Sequence, residues 1–181
     1  MEVKTISEWD ENFWREAAPI YEQAFAGKGA KPEKIIRNMF RSGICFLHIG
    51  YAGDQAAVMA ITGKLNSIHA LLIDYLAVHS DYQSQGMGKE MVRHIKEWAA
   101  GMVDGIVIEV ESDQTSENLA RKQFWLKCGF HLTDYIHQYI WVPEPYQAMY
   151  LELASNTNIP KDGKQLFKQI GKFHEASFKK V

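Results

Sequence analysis

The sequence predicts an α/β domain built on one mixed sheet. Two observations carry this. Apolar residues recur at helical spacing in some segments and strand spacing in others, in the order α-α-β-β-β-α-β-α-β-β. Two of the strands, Ala70–Val78 and Ile106–Val110, are apolar on both faces apart from Asp74, Tyr75 and Glu109, as strands in the middle of a sheet are.

Taken in order, Ser7 to Phe25 is predicted helical, with Trp9, Phe13, Ala17, Ile20 and Ala24 on one face and Pro19 as a point of kinking. "GKGAKP" is a loop, and Pro32 suits the first position of a second helix carrying Ile35, Ile36, Met39 and Phe40. Ile44–Tyr51 and Ala56–Thr62 form a hairpin pair around Gly53–Asp54, and Ala70–Val78 is the third strand. Lys89–Met102 is a helix with Met91, Val92, Ile95, Ala99 and Met102 as its stripe and Gly101 near its end. The buried strand Ile106–Val110 leads into the polar "ESDQTSEN". A helix over Asn118–Cys128 then stops at Gly129, a left-handed cap. Strands Phe130–Val142 and Gln147–Leu153 follow, joined through "PEP". Residues 154–181 differ in composition, with six lysines against Asp162 and Glu175. There Leu166, Phe167, Ile170, Phe173 and Phe178 are expected to share the apolar face of a docked helix, an extension to a domain of residues 1–153.

Composition narrows the function classes. At 181 residues, 46% hydrophobic and 23% charged, the chain has the make-up of a soluble globular protein. A net charge of −2 gives no nucleic-acid signature. No basic-then-apolar leader pattern opens the sequence, and no apolar run approaches the roughly 20 residues of a membrane span. Cys45 and Cys128 sit in apolar contexts without ligand spacing, so the expectation is a cytoplasmic protein with reduced thiols. The seven histidines form no ligand spacing either, and no metal is expected.

The chemistry lies at the junction "DYQSQGMGKEM", between the third strand and the following helix. A P-loop fails here, since Gln83 stands where its first glycine belongs and Glu90 follows the lysine. The dinucleotide fingerprint matches at Gly86 and Gly88 but has Met91 in third place, with Glu109 as an acid at the right distance. Q-x-x-G-x-G fits throughout, with Gln83, Gly86 and Gly88, and Lys89 opening the helix. Its glycines are expected to let the backbone approach a ligand, and its run of amides at a helix start suits a pyrophosphate. No acid stands between Gln83 and Lys89 to repel one.

"LAVHSDYQSQGMGKEMV" resembles motif A of the GCN5-related N-acetyltransferase (GNAT) superfamily. "IVIEV" followed by "NLARKQFWLKCGF" is similar to that family's next strand and its N-x-x-A-x-x-F-Y-x-x-x-G-F helix, so the resemblance covers roughly residues 3–153. It implies a mixed, mostly antiparallel sheet of about six to seven strands with a V-shaped splay, flanked by about four helices, and acetyl-CoA as co-substrate. Backbone groups of Leu76, Ala77 and Val78 would pair with the pantetheine arm. The amides of Ser84, Gln85, Gly86, Met87, Gly88 and Lys89 would take the pyrophosphate, and Asn118 would contact the cofactor.

The implied activity is direct transfer of an acetyl group from the thioester to a primary amine on a small molecule or peptide. Two carboxylates are candidates for the base, Glu109 and Asp74, with ordered water as a third route. The family's F-Y pair reads Phe124–Trp125 here, and an indole N–H is no practical acid at neutral pH. Trp125 is therefore expected to contact the cofactor without donating a proton, and Tyr135 and Tyr139 are substitute donors. A non-catalytic acyl-CoA-binding module is the alternative function, and a nucleotide-binding oxidoreductase a distant third. The apolar last strands and tail, with the resemblance, make a homodimer an expectation. No nucleic acid or membrane partner is expected.

Overall fold

The computed structural model describes residues 1–179; Lys180 and Val181, the end of the predicted extension, lie outside the described residues. The elements run β1 (Glu2–Ile6), α1 (Glu11–Phe25), α2 (Glu33–Arg41), β2 (Cys45–Ala52), β3 (Gln55–Leu65), β4 (Ala70–Val78) and α3 (Met87–Ala99). They continue with β5 (Gly105–Glu111), α4 (Ser116–Lys127), β6 (His131–Gln138), β7 (Pro145–Glu152) and α5 (Gly163–Phe178). The strands form one sheet in the order β1-β2-β3-β4-β5-β7-β6. β4 and β5 pair in parallel, whereas β1–β2, β2–β3, β5–β7 and β6–β7 are antiparallel. This is the mixed, mostly antiparallel α/β sheet the sequence predicts.

Several elements differ from expectation. Five α-helices are present among the described residues rather than about four; α3 ends at Ala99, ahead of left-handed Gly101, so Met102, expected on its stripe, is 46% exposed; and β6 ends at Gln138 rather than Val142. β1 is an additional strand, its Glu2-Val3-Lys4-Thr5-Ile6 pairing with Tyr51 back to Leu47. α1 starts at Glu11 rather than Ser7, because extended Asp10 caps it by accepting the Phe13 amide at 2.7 Å. Pro19 lies inside α1 without ending it. α5 buries Leu166, Phe167, Ile170 and Phe173 as expected, but Phe178, on its last turn, is 57% exposed. The glycine at the start of α5 has a packing reason, since a Cβ on Gly163 would run into Thr133 and Tyr135 of β6.

The chain forms two compact units. The first comprises Met1–Gly63, Ile73–Ile95 and the described residues from His174 to Lys179. Its core holds Leu47, Ile49, Met59 and Ile61 of the hairpin with Ile20, Ile36, Met39, Met91 and Ile95. The second comprises Lys64–Leu72 and Lys96–Phe173, with Ile106, Ile108, Met149, Leu166 and Ile170 in its core. β4 pairs with β5 from Ala70↔Gly105 to Leu72↔Val107; β4 itself continues to Val78 and β5 to Glu111. Among the described residues no helix is long and apolar enough to cross a membrane.

One polar residue in the first core has a measurable consequence. His48, in the middle of β2, is wholly buried, with Nδ1 2.8 Å from Thr5 Oγ1 and Nε2 3.0 Å from Thr62 Oγ1. Burial pushes its pKa down to about 3 from an ordinary 6.5, with His94 adding to the effect. The unfolded chain therefore takes up this proton well before the folded one does. The stability tied to neutral His48 is complete above pH ~6.5 and lost progressively as pH falls toward ~3, by roughly 5 kcal/mol at most. Denaturant titrations across that range are expected to show a flatter acid limb for His48→Gln than for the wild type, alongside lower stability at neutral pH.

Candidate functional site

The first unit carries the glycine loop. β4 ends at Val78, and the His79 amide donates to Ala57 O on β3 at 2.9 Å, which anchors the strand end. A single 3₁₀ turn over Ser80–Tyr82 follows, with His79 Nδ1 accepting from the Asp81 amide. His79 is thus a turn residue. Gln83 Nε2 donates to Val78 O at 3.3 Å and Gln85 Nε2 to Asp81 O at 3.0 Å, so both side-chain amides brace the loop.

The backbone then passes through Ser84 at φ +62° and Gly86 at φ +82°. A left-handed serine costs on the order of 1 kcal/mol or more and persists only where the surroundings impose it. Left-handed residues interleaved with right-handed ones turn successive N–H groups inward, a backbone concavity suited to an anion. The first ladder bond of α3 runs from the Glu90 amide to Gly86 O at 3.0 Å. The amides of Met87, Gly88 and Lys89 precede it, at the positive end of the helix dipole. Nothing lies within 4 Å of where a Gly86 Cβ would stand. The dihedral angle by itself favours glycine there, and no packing within the protein does.

Upstream on β4, the Asp74 side chain is 4% exposed and accepts from Lys31 Nζ at 2.9 and 2.7 Å through its two oxygens. Lys31, from the loop between α1 and α2, is equally buried, and its Nζ also lies 3.3 Å from His174 Nδ1. Its backbone is fixed as well: the amide donates to Tyr75 Oη at 3.1 Å, and the carbonyl accepts from Tyr21 Oη at 3.0 Å. Burial pushes the Tyr21 hydroxyl up to about 12 and raises that of Tyr75 further, with Asp74 reinforcing both. Both tyrosines are therefore neutral at any ordinary pH, Tyr21 donating to the Lys31 carbonyl and Tyr75 accepting from its amide.

The second unit holds the other carboxylate. Glu109 stands opposite Ala148 of β7, half-buried, and its Oε2 accepts from the Tyr139 hydroxyl at 2.6 Å. Tyr139 follows β6 directly and packs edge-on against His137 at 4.5 Å, while His137 stacks on Phe167 of α5 at 4.3 Å. Burial lowers the His137 pKa and the Glu109 charge opposes that shift, so the imidazole is neutral near pH 7. Tyr135 lies farther along, with its hydroxyl 3.5 Å from His137 Nδ1.

α4 turns an unusual face to its own unit. Its buried residues are Asn118, Lys122 and Trp125, at i, i+4 and i+7, while Leu119 and Leu126 are exposed. Thr115 caps the helix by accepting the Asn118 amide, and Asn118 Nδ2 donates to Asp113 O at 3.2 Å, closing the polar turn. Lys122 Nζ donates to Ser112 O and Gln147 Oε1 at 3.2 and 3.0 Å. The Trp125 ring packs edge-on against Phe124 and Phe130 at 5.0 and 5.2 Å.

Sequence reasoning did not single out Lys31, His174 or Lys122. For Lys122 the signal was present, since it shares a helical face with Asn118 and Trp125. For Lys31 and His174 there was none, because Lys31 meets Asp74 across 43 residues of the chain and His174 across 143.

No curated protein matches the sequence significantly. Among solved structures, a Bacteroides thetaiotaomicron protein assigned to the GNAT acetyltransferases is 16% identical, with a TM-score of 0.73 over 94% of this chain and 95% of its own. The ribosomal-protein-S18-alanine N-acetyltransferase of Escherichia coli is 19% identical, with a TM-score of 0.63 over 88% and 99%. A Bacillus subtilis acetyltransferase in complex with CoA is also 19% identical, at 0.60 over 84% and 99%. These likenesses show the fold. The family model described as an acetyltransferase (GNAT) domain matches residues 42–132, a stretch that takes in the hairpin, the glycine loop, β5 and α4. That stretch is half of the sequence, and the chain belongs to the GNAT family of acetyltransferases.

Proposed function

We propose that the protein is an acetyl-CoA-dependent N-acetyltransferase, moving an acetyl group directly from the thioester to a primary amine. The observation that carries this is the loop from Ser84 to Lys89, where left-handed Ser84 and Gly86 lead into a helix start. The donor set fits a pyrophosphate. It is made of main-chain amides and a helix N-terminus, with no carboxylate from Gln83 to Lys89. Leu76, Ala77 and Val78 of β4 would hold the pantetheine arm by main-chain hydrogen bonds, as an added strand is held. Bound acetyl-CoA supplies an activated carbonyl and a thiolate leaving group.

The remaining steps fall to side chains. Glu109 is the proposed base, taking a proton from the ammonium before or during attack. Such assistance contributes on the order of 10²–10⁴-fold. Tyr139, whose hydroxyl already meets Glu109, is the proposed proton donor toward the departing sulfur in place of the tyrosine that Trp125 displaces. Asp74 is occupied by a cation and is the weaker candidate. For Asn118 and Trp125, engaged with Asp113 O and with Phe124 and Phe130, we assign the shaping of α4 rather than direct contact with the cofactor. The acceptor is an amine on a small molecule or a peptide. The packed indole at position 125 favours one other reading, a domain that binds acyl-CoA without consuming it.

Calorimetric titration separates these from a plain fold. CoA is expected to bind the wild type, and Gly86→Ala, which forces a side chain to φ +82°, to weaken that binding by roughly tenfold. No heat with CoA or acetyl-CoA on folded protein would remove the whole reading. Release of free CoA against a panel of amines then tests catalysis. Glu109→Gln is expected to lower kcat/KM about 10²-fold or more and to flatten its acid limb, and Tyr139→Phe to lower kcat by about tenfold. An unchanged pH profile in Glu109→Gln would leave ordered water as the base. Binding without any CoA release would favour the non-catalytic module.

A further inference from the structure

We propose that Asp74 and the ring of Tyr75 form a seat for an aliphatic ammonium, occupied in this structure by the chain's own Lys31 and taken by the acceptor when the Gly27–Lys31 loop swings out. The contacts are those by which proteins hold alkylammonium ions. Both carboxylate oxygens meet Nζ at 2.7 and 2.9 Å, and Nζ lies 5.1 Å from the centroid of the Tyr75 ring. His174 Nδ1 lies 3.3 Å from the same Nζ. Tyr21 and Phe25 back the seat, each 4.9 Å from Tyr75 and 5.3 Å from one another, so its aromatic wall is rigid before any guest arrives.

Two features argue that Lys31 is a guest as well as a strut. A buried ion pair is a poor choice for stability alone, because apolar residues of similar volume hold a loop at least as well. The segment that carries Lys31 also contains Gly27 at φ +73° and Gly29 at φ +76°, both with nothing within 4 Å of where a Cβ would stand, so the main-chain hydrogen bonds of Lys31 with Tyr75 and Tyr21 are what its movement has to break, beside the ion pair. Exchange of Lys31 for another alkylammonium leaves Asp74 paired throughout and replaces like with like. The inference rests on the acetyltransferase reading for its acceptor role, and it narrows the acceptor to an amine on an unbranched aliphatic chain, such as a lysine side chain or a linear alkylamine, which binds as the ammonium and attacks only after giving up a proton to the base.

The experiment compares wild type, Lys31→Ala and Lys31→Ala/Asp74→Asn by thermal unfolding, with matched butylammonium chloride, sodium chloride or 1-butanol and without acetyl-CoA. Lys31→Ala is expected to unfold at lower temperature and to recover with butylammonium only, the wild type and the double variant responding no more to butylammonium than to salt. Equal recovery with butanol, no recovery, or an equal response in the double variant overturns the seat. If Lys31→Ala does not fold unaided, the same comparison is read as refolding yield, and no gain from butylammonium has the same meaning. Acetyl transfer to butylamine is the second arm. Removing the internal competitor is expected to lower KM by about tenfold. An unchanged KM beside intact ammonium rescue overturns the acceptor role. Absence of transfer in the wild type with every amine, beside intact rescue, strikes the acetyltransferase reading and leaves the seat standing.

Discussion

A carboxylate on a strand walled by apolar neighbours has to be met by a donor at the spot, since desolvating it alone costs several kcal/mol. Both central strands carry one, and much of the local architecture follows from how each is met. Asp74 is met by an ammonium that must come from outside the sheet, and this draws the loop between α1 and α2 onto β4. Once Lys31 is in place, its main chain is also bound by Tyr75 and Tyr21, so one charge pair positions a whole connection. Glu109 is met by a phenol from the residue that follows β6. That contact fixes where the β6–β7 connection departs, and its exposed neighbours Ile140 and Trp141 sit beyond this fixed point.

The sheet was legible in the sequence because its inner strands obey a simple physical rule, burial on both faces, which leaves a continuous apolar run. Ala70–Val78 is read with the boundaries the structure has. β1 was not legible. It lies at the edge of the sheet, is mostly exposed or half-buried, and mixes Glu2 and Lys4 with Val3 and Ile6, so its pairing with β2 gives it an identity that its own residues do not. α4 was placed correctly but its inner face was not foreseen, for a related reason. Helical periodicity is read from apolar stripes, and here the buried stripe is Asn118, Lys122 and Trp125. The candidate site divides the same way. Main-chain features tied to a local motif were visible, whereas side-chain partnerships across 30 residues or more, Tyr139 with Glu109 or Lys31 with Asp74, were not.

The glycine loop depends on backbone conformation. A side chain at Gly86 would meet no other part of the protein, so internal packing does not select the glycine. What the position requires is a left-handed backbone, and Ser84 adopts the same conformation without the excuse of being a glycine. The strain at Ser84 is offset locally: Gln83 and Gln85 tie the loop back to Val78 and Asp81, and the 3₁₀ turn before it is closed through His79. Gln83, the first residue of the motif, and Gln85 are thus the braces that hold the loop in a conformation the chain would not choose unaided.

The two carboxylates also differ in what a proton would do to them. A proton on Asp74 would displace the ammonium it holds through two oxygens and release the loop anchored there. Glu109 instead accepts a hydrogen bond from the Tyr139 hydroxyl, a contact that does not depend on an ion pair. Position along a strand made both Asp74 and Glu109 candidates; the structure separates them by partner, an ammonium held through two oxygens at Asp74 and a phenol at Glu109.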